Sequence, residues 1–529
     1  MRNEITTMTK MYLLALEESP RLPSVSRLQS MVRRALTGAP TEDWSRVQRQ
    51  ESTDPRALLD AAQVIVGFNI ALLQLRRAIG ACVPLLFFSY GISTRAFLPL
   101  FECRELLNKG DAILYPSMRD FQSARRHFVA DDLRSYVIPY PVDDCFFTES
   151  ISRDEARAEL RALGAEISND GRLLVYVGRI CPQKNIHLTL RLFAEVRRRI
   201  ADAVLLLVGT TDCSTFLEME WESSNYDRVC AQEIERLGIR DAVFWLPNFS
   251  PEQMPLVYAA ADINVTCSTF RTEDYGFTTV EAAACGCPTV GTAWGGLNNT
   301  IIEGTTGYRM PTYCLGDCIV PDWRCGAHLV ARLLQNHAER IRLGQRAQAF
   351  AWDSLRESMF AASFRAALAD LAAVRPPAPA SMAIQTVFDD ATLEFFDALE
   401  ARIDAGKTFS DARRGLFRDT NRTRVSEFLG PYAGSTLPSL SPSTLVYVPW
   451  QVEIDDRSVT VQDPNWKRTV PVSPLQAAIL RKAVLPCSLE RISLSLRAES
   501  HNVFAIGDKL INAGLMLPLT SDRSMIDTF

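Results

Sequence analysis

Leu173-Leu-Val-Tyr-Val177-Gly178-Arg179-Ile-Cys-Pro-Gln-Lys184-Asn185 begins as an unbroken apolar run, ends in glycine and turns polar before a helical pattern over Asn185–Ile200. A short apolar run closed by glycine and followed by helical spacing reads as a buried strand feeding a helix. The same phrase recurs downstream. Ala203–Gly209, Ala242–Leu246, Ile263–Thr266 and Pro288–Gly291 read as strands, with helices at Glu252–Ala260 and Thr279–Ala284. Strands buried on both faces and alternating with helices make a parallel, doubly wound sheet. Ligands of such sheets bind beyond the carboxyl ends of the strands. Gly178, Arg179 and Lys184 lie there.

Further along stands Glu273-Asp-Tyr275-Gly276-Phe277-Thr278-Thr279-Val-Glu281, followed by Ala-Ala-Ala-Cys285-Gly-Cys287-Pro288. Two carboxylates flank a Tyr-Gly-Phe turn that opens a helix. Arg179 can grip two phosphate oxygens at once and Lys184 supplies a mobile point charge. The N–H groups of Phe277, Thr278 and Thr279 would point at an anion from the helix start, and Gly276 lets the backbone approach closely. Glu281 suits a ribose diol, and Glu273 the hydroxyls of a second sugar. Transfer of a sugar from a nucleoside diphosphate needs this set: donors for a departing diphosphate and acceptors for hydroxyls.

In register, these motifs resemble the retaining GT-B glycosyltransferases of family four, the glycosyltransferase group 1 type. Glu273 and Glu281 match the family's Glu-x7-Glu, with Tyr275-Gly276 in place of Phe-Gly. Gly178-Arg179 and Lys184 match its Gly-Arg…Lys. Glu281-Ala282, Cys285-Gly-Cys-Pro288 and Gly295-Gly296 fall where the family places its Glu-Ala, Cys-Gly-x-Pro and Gly-Gly, and Ile138-Pro139 with Val142-Asp143 resembles its crossover segment. The resemblance spans roughly residues 60–370. It implies catalysis by Glu273, Arg179 and Lys184, and donor binding by Gly178, Tyr275, Gly276, Phe277, Thr278 and Glu281. It also implies retention of anomeric configuration, no metal and no cofactor beyond the nucleotide-sugar substrate. By analogy the donor base lies near Pro247-Asn248-Phe249.

The upstream half repeats the strand–helix phrase. Strands are expected at Ala62–Gly67, Val83–Phe88 and Ala112–Tyr115, with helices at Leu72–Ala78, Leu98–Leu107 and Ser117–Phe128. The first 55 residues read as helices, Met8–Leu16 and Ser26–Leu36. They stand where the family has an opening strand and a Gly-Gly loop. Tyr90 stands where the family carries a histidine on the sugar side of the site.

After a Pro/Ala linker at Arg375–Ser381 and an expected helix at Ala391–Ile403, the tail changes character. Leu445–Asp455, Ser458–Gln462 and Thr469–Pro471 read as short strands. Ser473-Pro-Leu-Gln476 opens a capped helix. Helices at Leu489–Leu496 and Asn502–Ala513 follow, then a strand-like Gly514–Leu517. The order resembles a winged-helix module, and also the small peptide-recognition domain of enzymes that modify ribosomally made peptides. Asn502–Ala513 holds one lysine, Lys509, which disfavours nucleic acid.

The expected fold class is therefore α/β: two Rossmann-like doubly wound domains (GT-B) and a small α+β winged-helix-like domain. The expected bounds are 1–145 for the acceptor domain, 146–373 for the donor domain, 374–443 for linker and helices, and 444–529 for the docking module. The 529 residues carry a net charge of -5, 47% hydrophobic and 22% charged side chains, which excludes wholesale disorder. No apolar run reaches the roughly 18–20 residues that span a bilayer, and no secretory leader is apparent, so a cytoplasmic location is expected. Thirteen scattered cysteines read as free thiols. The functional expectation is transfer of a sugar from a nucleoside-diphosphate sugar to an unidentified acceptor, with a peptide or protein recruited by the tail as one candidate. The alternative is a non-catalytic sugar-nucleotide-binding or peptide-docking protein on the same scaffold.

Overall fold

The computed structural model describes residues 11–16, 23–44, 54–67, 69–89, 106–127, 133–147, 151–211, 226–269, 273, 275–315, 318–373, 434–463 and 466–519. Tyr90, the expected helix Ala391–Ile403 and nearly all of Leu98–Leu107 lie outside them. The chain divides into one unit of residues 1–144, 274–277 and 351–389, and a second of residues 145–273, 278–350 and 390–529.

The described residues of the first unit form six strands: β1 (Met11–Ala15), β2 (Thr41–Asp43), β3 (Ala62–Gly67), β4 (Leu85–Phe88), β5 (Ala112–Tyr115) and β6 (Arg134–Val137). They run parallel in the order β2-β1-β3-β4-β5-β6. Val64, Ile65, Val66, Leu85 and Leu86 are fully buried in it. One expectation is corrected here. Met11–Ala15 is a strand in register with β3, Leu13 opposite Ile65, and not part of a helix. A five-residue apolar run fits both periods, and its burial beside β3 decides the matter. The opening strand is therefore present rather than replaced by helices. The next helix, Pro23–Ala35, lies near its expected place.

Chain from beyond residue 350 completes this unit. Arg34 donates to both carboxylate oxygens of Glu357, at 2.8 and 2.6 Å. The Val142 N–H bonds the Leu355 carbonyl at 2.8 Å. Phe364, on the helix Glu357–Ala373, packs against Phe88 with centroids 5.9 Å apart.

The second unit is built on β7 (Arg172–Val177), β8 (Ala203–Val208), β9 (Val243–Leu246), β10 (Ile263–Thr266), β11 (Thr289–Thr292) and β12 (Gly307–Met310). Its order is β12-β11-β10-β7-β8-β9, all parallel. The sequence order reverses between β7 and β10, which makes that pair the topological switch point of a Rossmann-like sheet. The helix Ile186–Arg197 is buried along nearly its whole length against this sheet and the helix Trp323–Gln335. The helix Tyr226–Leu237 had no clear sequence signal, because its buried residues Tyr226, Cys230 and Glu233 make a mixed stripe.

The tail belongs to the second unit. The hairpin β13 (Thr312–Leu315) and β14 (Cys318–Pro321) shares a core with the C-terminal module. There Tyr313, Leu315 and Val320 pack with Val446, Tyr447, Val448 and Trp450. The module contains β15 (Leu445–Tyr447), an antiparallel sheet of β16 (Gln451–Ile454), β17 (Ser458–Asp463) and β18 (Trp466–Pro471), then β19 (Cys487–Ser488) and β20 (Leu517–Pro518). Its helices are Pro474–Lys482, Leu489–Leu496 and Ser500–Asn512. Ser473 and Gln476 form a reciprocal capping box with proline in the first turn. β15 pairs with both β19 and β20. Among the described residues no helix is long and apolar enough to cross a membrane.

Candidate functional site

The loops after β7 and β10 meet at the switch point of the second sheet. Gly178 leaves β7 at φ +143, its N–H bonding the Val208 carbonyl at 3.0 Å. Beside it Gly209 leaves β8, and a β-carbon there would sit 1.9 Å from the Gly178 carbonyl oxygen. The two strands can end this close only because Gly209 has no side chain. The Tyr176 hydroxyl then donates to the Arg179 carbonyl at 2.8 Å, pinning the loop that carries Arg179.

Lys184 ends a short 3-10 turn that begins at Pro182. Asn185 follows at φ 52, a left-handed geometry that asparagine tolerates better than most residues. Its buried amide donates to the Cys267 carbonyl at 2.9 Å and to Thr269 Oγ1 at 2.7 Å. Asn185 thus ties the β7 loop to the β10 loop. As a result Lys184 Nζ forms an ion pair with Glu273 Oε2.

Glu273 is buried, and its Oε2 also accepts from Ser268 Oγ at 2.6 Å. Its Oε1 carries no hydrogen bond among the described residues. Burial works to raise this carboxyl, but the Lys184 ammonium, the Ser268 hydroxyl and the Arg179 charge more than offset it. The group is held below its ordinary value and stays ionised. Its backbone is fixed as well: the Gly296 N–H bonds the Glu273 carbonyl at 2.6 Å.

The helix Phe277–Ala284 starts at the expected turn, with Gly276 at φ 80. Glu281 lies on its buried face and accepts from the Tyr258 hydroxyl at 3.1 Å. Thr278 is half-buried in the first turn. Within the first unit, the Tyr275 hydroxyl donates to the Tyr140 carbonyl at 2.6 Å, and the Phe277 ring stacks on Tyr140 at 6.2 Å. Asn248, exposed beyond β9, donates to Thr210 Oγ1 at 3.1 Å.

The sheet therefore brings Gly178, Lys184, Glu273 and Glu281 to the β7 and β10 loops and the helix that follows them. Arg179 lies close enough to act on Glu273 electrostatically. Sequence reasoning missed Asn185, Ser268 and Tyr258. The first two carry a faint signal, since each stands one or two residues beyond the loop or strand end that matters. Tyr258 carries none, because its contact with Glu281 is set by packing. Among the described residues no group of three or more His, Cys, Asp or Glu could hold a metal ion.

Residues 164–349 match the family model for glycosyl transferases group 1. Over this stretch the chain is similar to the group 1 glycosyltransferases. The stretch contains every second-unit residue of the site just described. The chain is similar to the D-inositol 3-phosphate glycosyltransferases of Segniliparus rotundus (30% identity over 50% of this chain and 54% of the relative) and Geodermatophilus obscurus (32% over 47% and 50%). It thus spans about half the length of the curated relatives it matches.

Solved structures extend the likeness in fold to the first unit. Sucrose-phosphate synthase from Thermosynechococcus elongatus aligns at TM-score 0.51 and 19% identity, over 69% of this chain and 99% of its own. HepE of Anabaena, solved in complex with UDP-glucose, aligns at TM-score 0.52 and 17% identity, over 68% and 100%. At these identities the likeness is one of fold: two Rossmann-like domains of the GT-B kind.

Proposed function

We propose that this chain is a retaining glycosyltransferase that transfers a hexosyl group from a nucleoside-diphosphate sugar. The observation that carries the proposal is the buried, ionised Glu273, paired with Lys184 at the switch point of a group 1 glycosyltransferase domain. A carboxylate with one oxygen committed to Lys184 and Ser268 keeps the other for hydroxyls of the transferred sugar. Arg179, Lys184 and the first-turn N–H groups of Phe277 and Thr278 take the departing diphosphate. Glu281 takes the ribose diol, held in place by Tyr258. Gly178 and Gly276 admit the donor backbone-close, and Tyr275 fixes the turn between the two glutamates.

In the transfer, the bond from the anomeric carbon to the diphosphate oxygen breaks. The acceptor oxygen bonds the same face of that carbon, and its proton passes to the departing phosphate oxygen. No protein base and no metal is called for in this reading, and Tyr90 is assigned to the sugar side. The UDP-glucose bound by HepE makes uridine nucleotides the first to try. The acceptor is the open part of the proposal. The names of the curated relatives point to a phosphorylated polyol, whereas the extra module at 444–519 suits a bulkier acceptor. The order helix–strand–helix–helix–strand over 474–518 supports reading that module as winged-helix-like.

The test is a panel of nucleotide sugars, scored for thermal stabilisation and for slow release of nucleoside diphosphate. Stabilisation by one donor, with release abolished in Glu273→Gln, supports the proposal. If no donor stabilises the protein, it fails.

A further inference from the structure

Residues beyond the group 1 domain reach back onto the turn that holds Glu273. Gly434 makes the contact: its N–H donates to the Ala293 carbonyl at 2.7 Å. The next residue takes part as well: Ser435 Oγ accepts from the Thr312 N–H at 3.2 Å. Ala293 opens the turn Trp294-Gly295-Gly296, and Gly296 N–H bonds the Glu273 carbonyl. The turn is closed by Asn298, whose Nδ2 donates to the Gly295 carbonyl at 3.2 Å.

Gly434 lies directly against this closing residue. A β-carbon at 434 would come within 2.1 Å of Asn298 Oδ1 and 3.0 Å of the Ala293 β-carbon. Gly434 does not need glycine for its own backbone, because its φ is not in the left-handed region. Its side chain is excluded chiefly by Asn298, with the Ala293 β-carbon a looser neighbour. Asn298 in turn is buried and held at both ends, by Gly295 and by Arg309, which donates to its carbonyl and Oδ1 at 3.3 and 3.4 Å. Moving Oδ1 aside turns the same amide whose Nδ2 bonds the Gly295 carbonyl, so making room loosens the turn.

We infer that Gly434 and Ser435 form a strap that positions the Trp294–Asn298 turn, and through Gly296 the sugar-binding carboxylate of Glu273. Gly434 is thus a positioning residue for donor binding, contributed from outside the group 1 domain. The inference rests on the donor-site role proposed for Glu273.

The experiment uses the full chain with Gly434→Ala, Asn298→Ala and the double variant, compared as a cycle. In the ligand-free protein, amide exchange over 293–300 is expected to rise about tenfold in Gly434→Ala, whereas in the Asn298→Ala background, which has already lost the obstructing side chain and its bond to Gly295, adding Gly434→Ala should change it little. UDP-glucose and the other nucleotide sugars are the probes for donor affinity. Donor KM is expected to rise about tenfold in Gly434→Ala with a smaller change in kcat, and to be no higher in the double variant than in Asn298→Ala. Unchanged exchange at 293–300 in Gly434→Ala, or effects of the two substitutions that simply add in the double variant, overturns the inference. A wild-type protein that binds no donor would defeat the proposed function, while the exchange cycle would still decide the strap. Donor binding equal in wild type and Gly434→Ala would defeat the strap and leave the proposed function standing.

Discussion

Lys184 and Glu273 depend on each other, and the dependence can be read through pH. Lys184→Ala leaves Glu273 buried without its main compensating charge. Removing one partner of a buried pair costs about 3–5 kcal/mol, here toward the lower end because Ser268 remains. In wild type the carboxyl sits below its ordinary value of 4.5. Its contribution is therefore fully present above that value and is lost as pH falls through the lower folded value. The melting-temperature gap between wild type and Lys184→Ala should be widest near neutral pH and should close below the carboxylate range. Thermal melts across that range check it, and a constant gap would show that charge is not the cause. Turnover should fall about a hundredfold in both Lys184→Ala and Glu273→Gln. Only the former should carry the large, pH-dependent loss of stability.

Asp120 behaves in the opposite sense. It is buried in the first turn after β5, accepts from Ser117 Oγ at 2.6 Å, and is pushed up to about 7 by burial. A carboxyl raised in the folded state costs stability as pH rises from its ordinary value of 3.8 through about 7, and the cost is level above that. Asp120→Asn keeps an acceptor for Ser117 and removes the charge. The variant should gain on wild type between pH 5 and pH 8, by on the order of 2–4 kcal/mol. Melts at those two values measure it. A variant equally destabilised at both would show that Asp120 is ionised in the folded state throughout.

At the level of elements, the second sheet was largely legible. Ile263–Thr266 matches its expected bounds, and β7, β8, β9 and β11 lie within a residue or two of theirs. Each is a short apolar run closed by glycine or a polar turn, so period and boundary agree. β1 was misread because five apolar residues cannot distinguish helix from buried strand until a neighbour is known. Glu273 and Glu281 could be singled out as candidates from the sequence because the chemistry proposed for them names its own residue types. Asn185 and Ser268 could not, since their roles depend on which loops the sheet order brings together. That order also makes a prediction at the end of a strand. Gly209→Ala places a β-carbon on the Gly178 carbonyl, at a φ of +156 that disfavours side chains. Strand β7 must retreat from β8 where the Arg179 loop begins. The variant should lose about 2–4 kcal/mol of stability and, in protein that still folds, donor binding as well. Thermal shift with and without nucleotide sugar separates the two effects.

On the scale of the whole molecule, the tail's sequence suggested a separate docking domain, whereas its core is shared with the hairpin of β13 and β14. The joint is polar as well as apolar. Buried Asp322 caps the helix Trp323–Gln335 by accepting from the Cys325 N–H at 2.9 Å, and the same Oδ1 accepts from the Tyr447 hydroxyl at 2.7 Å. Trp323 Nε1 reaches the Pro449 carbonyl at 3.3 Å. No local pattern in either segment announces this, because each half reads as ordinary amphipathic sequence and the pairing is known only once both are folded. Its consequence is cooperative. Tyr447→Phe removes one buried hydrogen bond to a charged acceptor and should cost about 1.5–3 kcal/mol. Deleting residues 434–529 strips the cover from Tyr313, Leu315 and Val320, at about 1.5–3 kcal/mol for each large apolar side chain. The destabilisation should therefore appear in the melting of the second unit's parallel sheet itself, not only in the loss of a tail transition. Calorimetry of the full chain, Tyr447→Phe and the truncated chain decides the matter. A truncated chain that melts at the wild-type temperature would mean that the module only rests on the donor unit. A shift graded from Tyr447→Phe to the deletion would mean that the two fold as one.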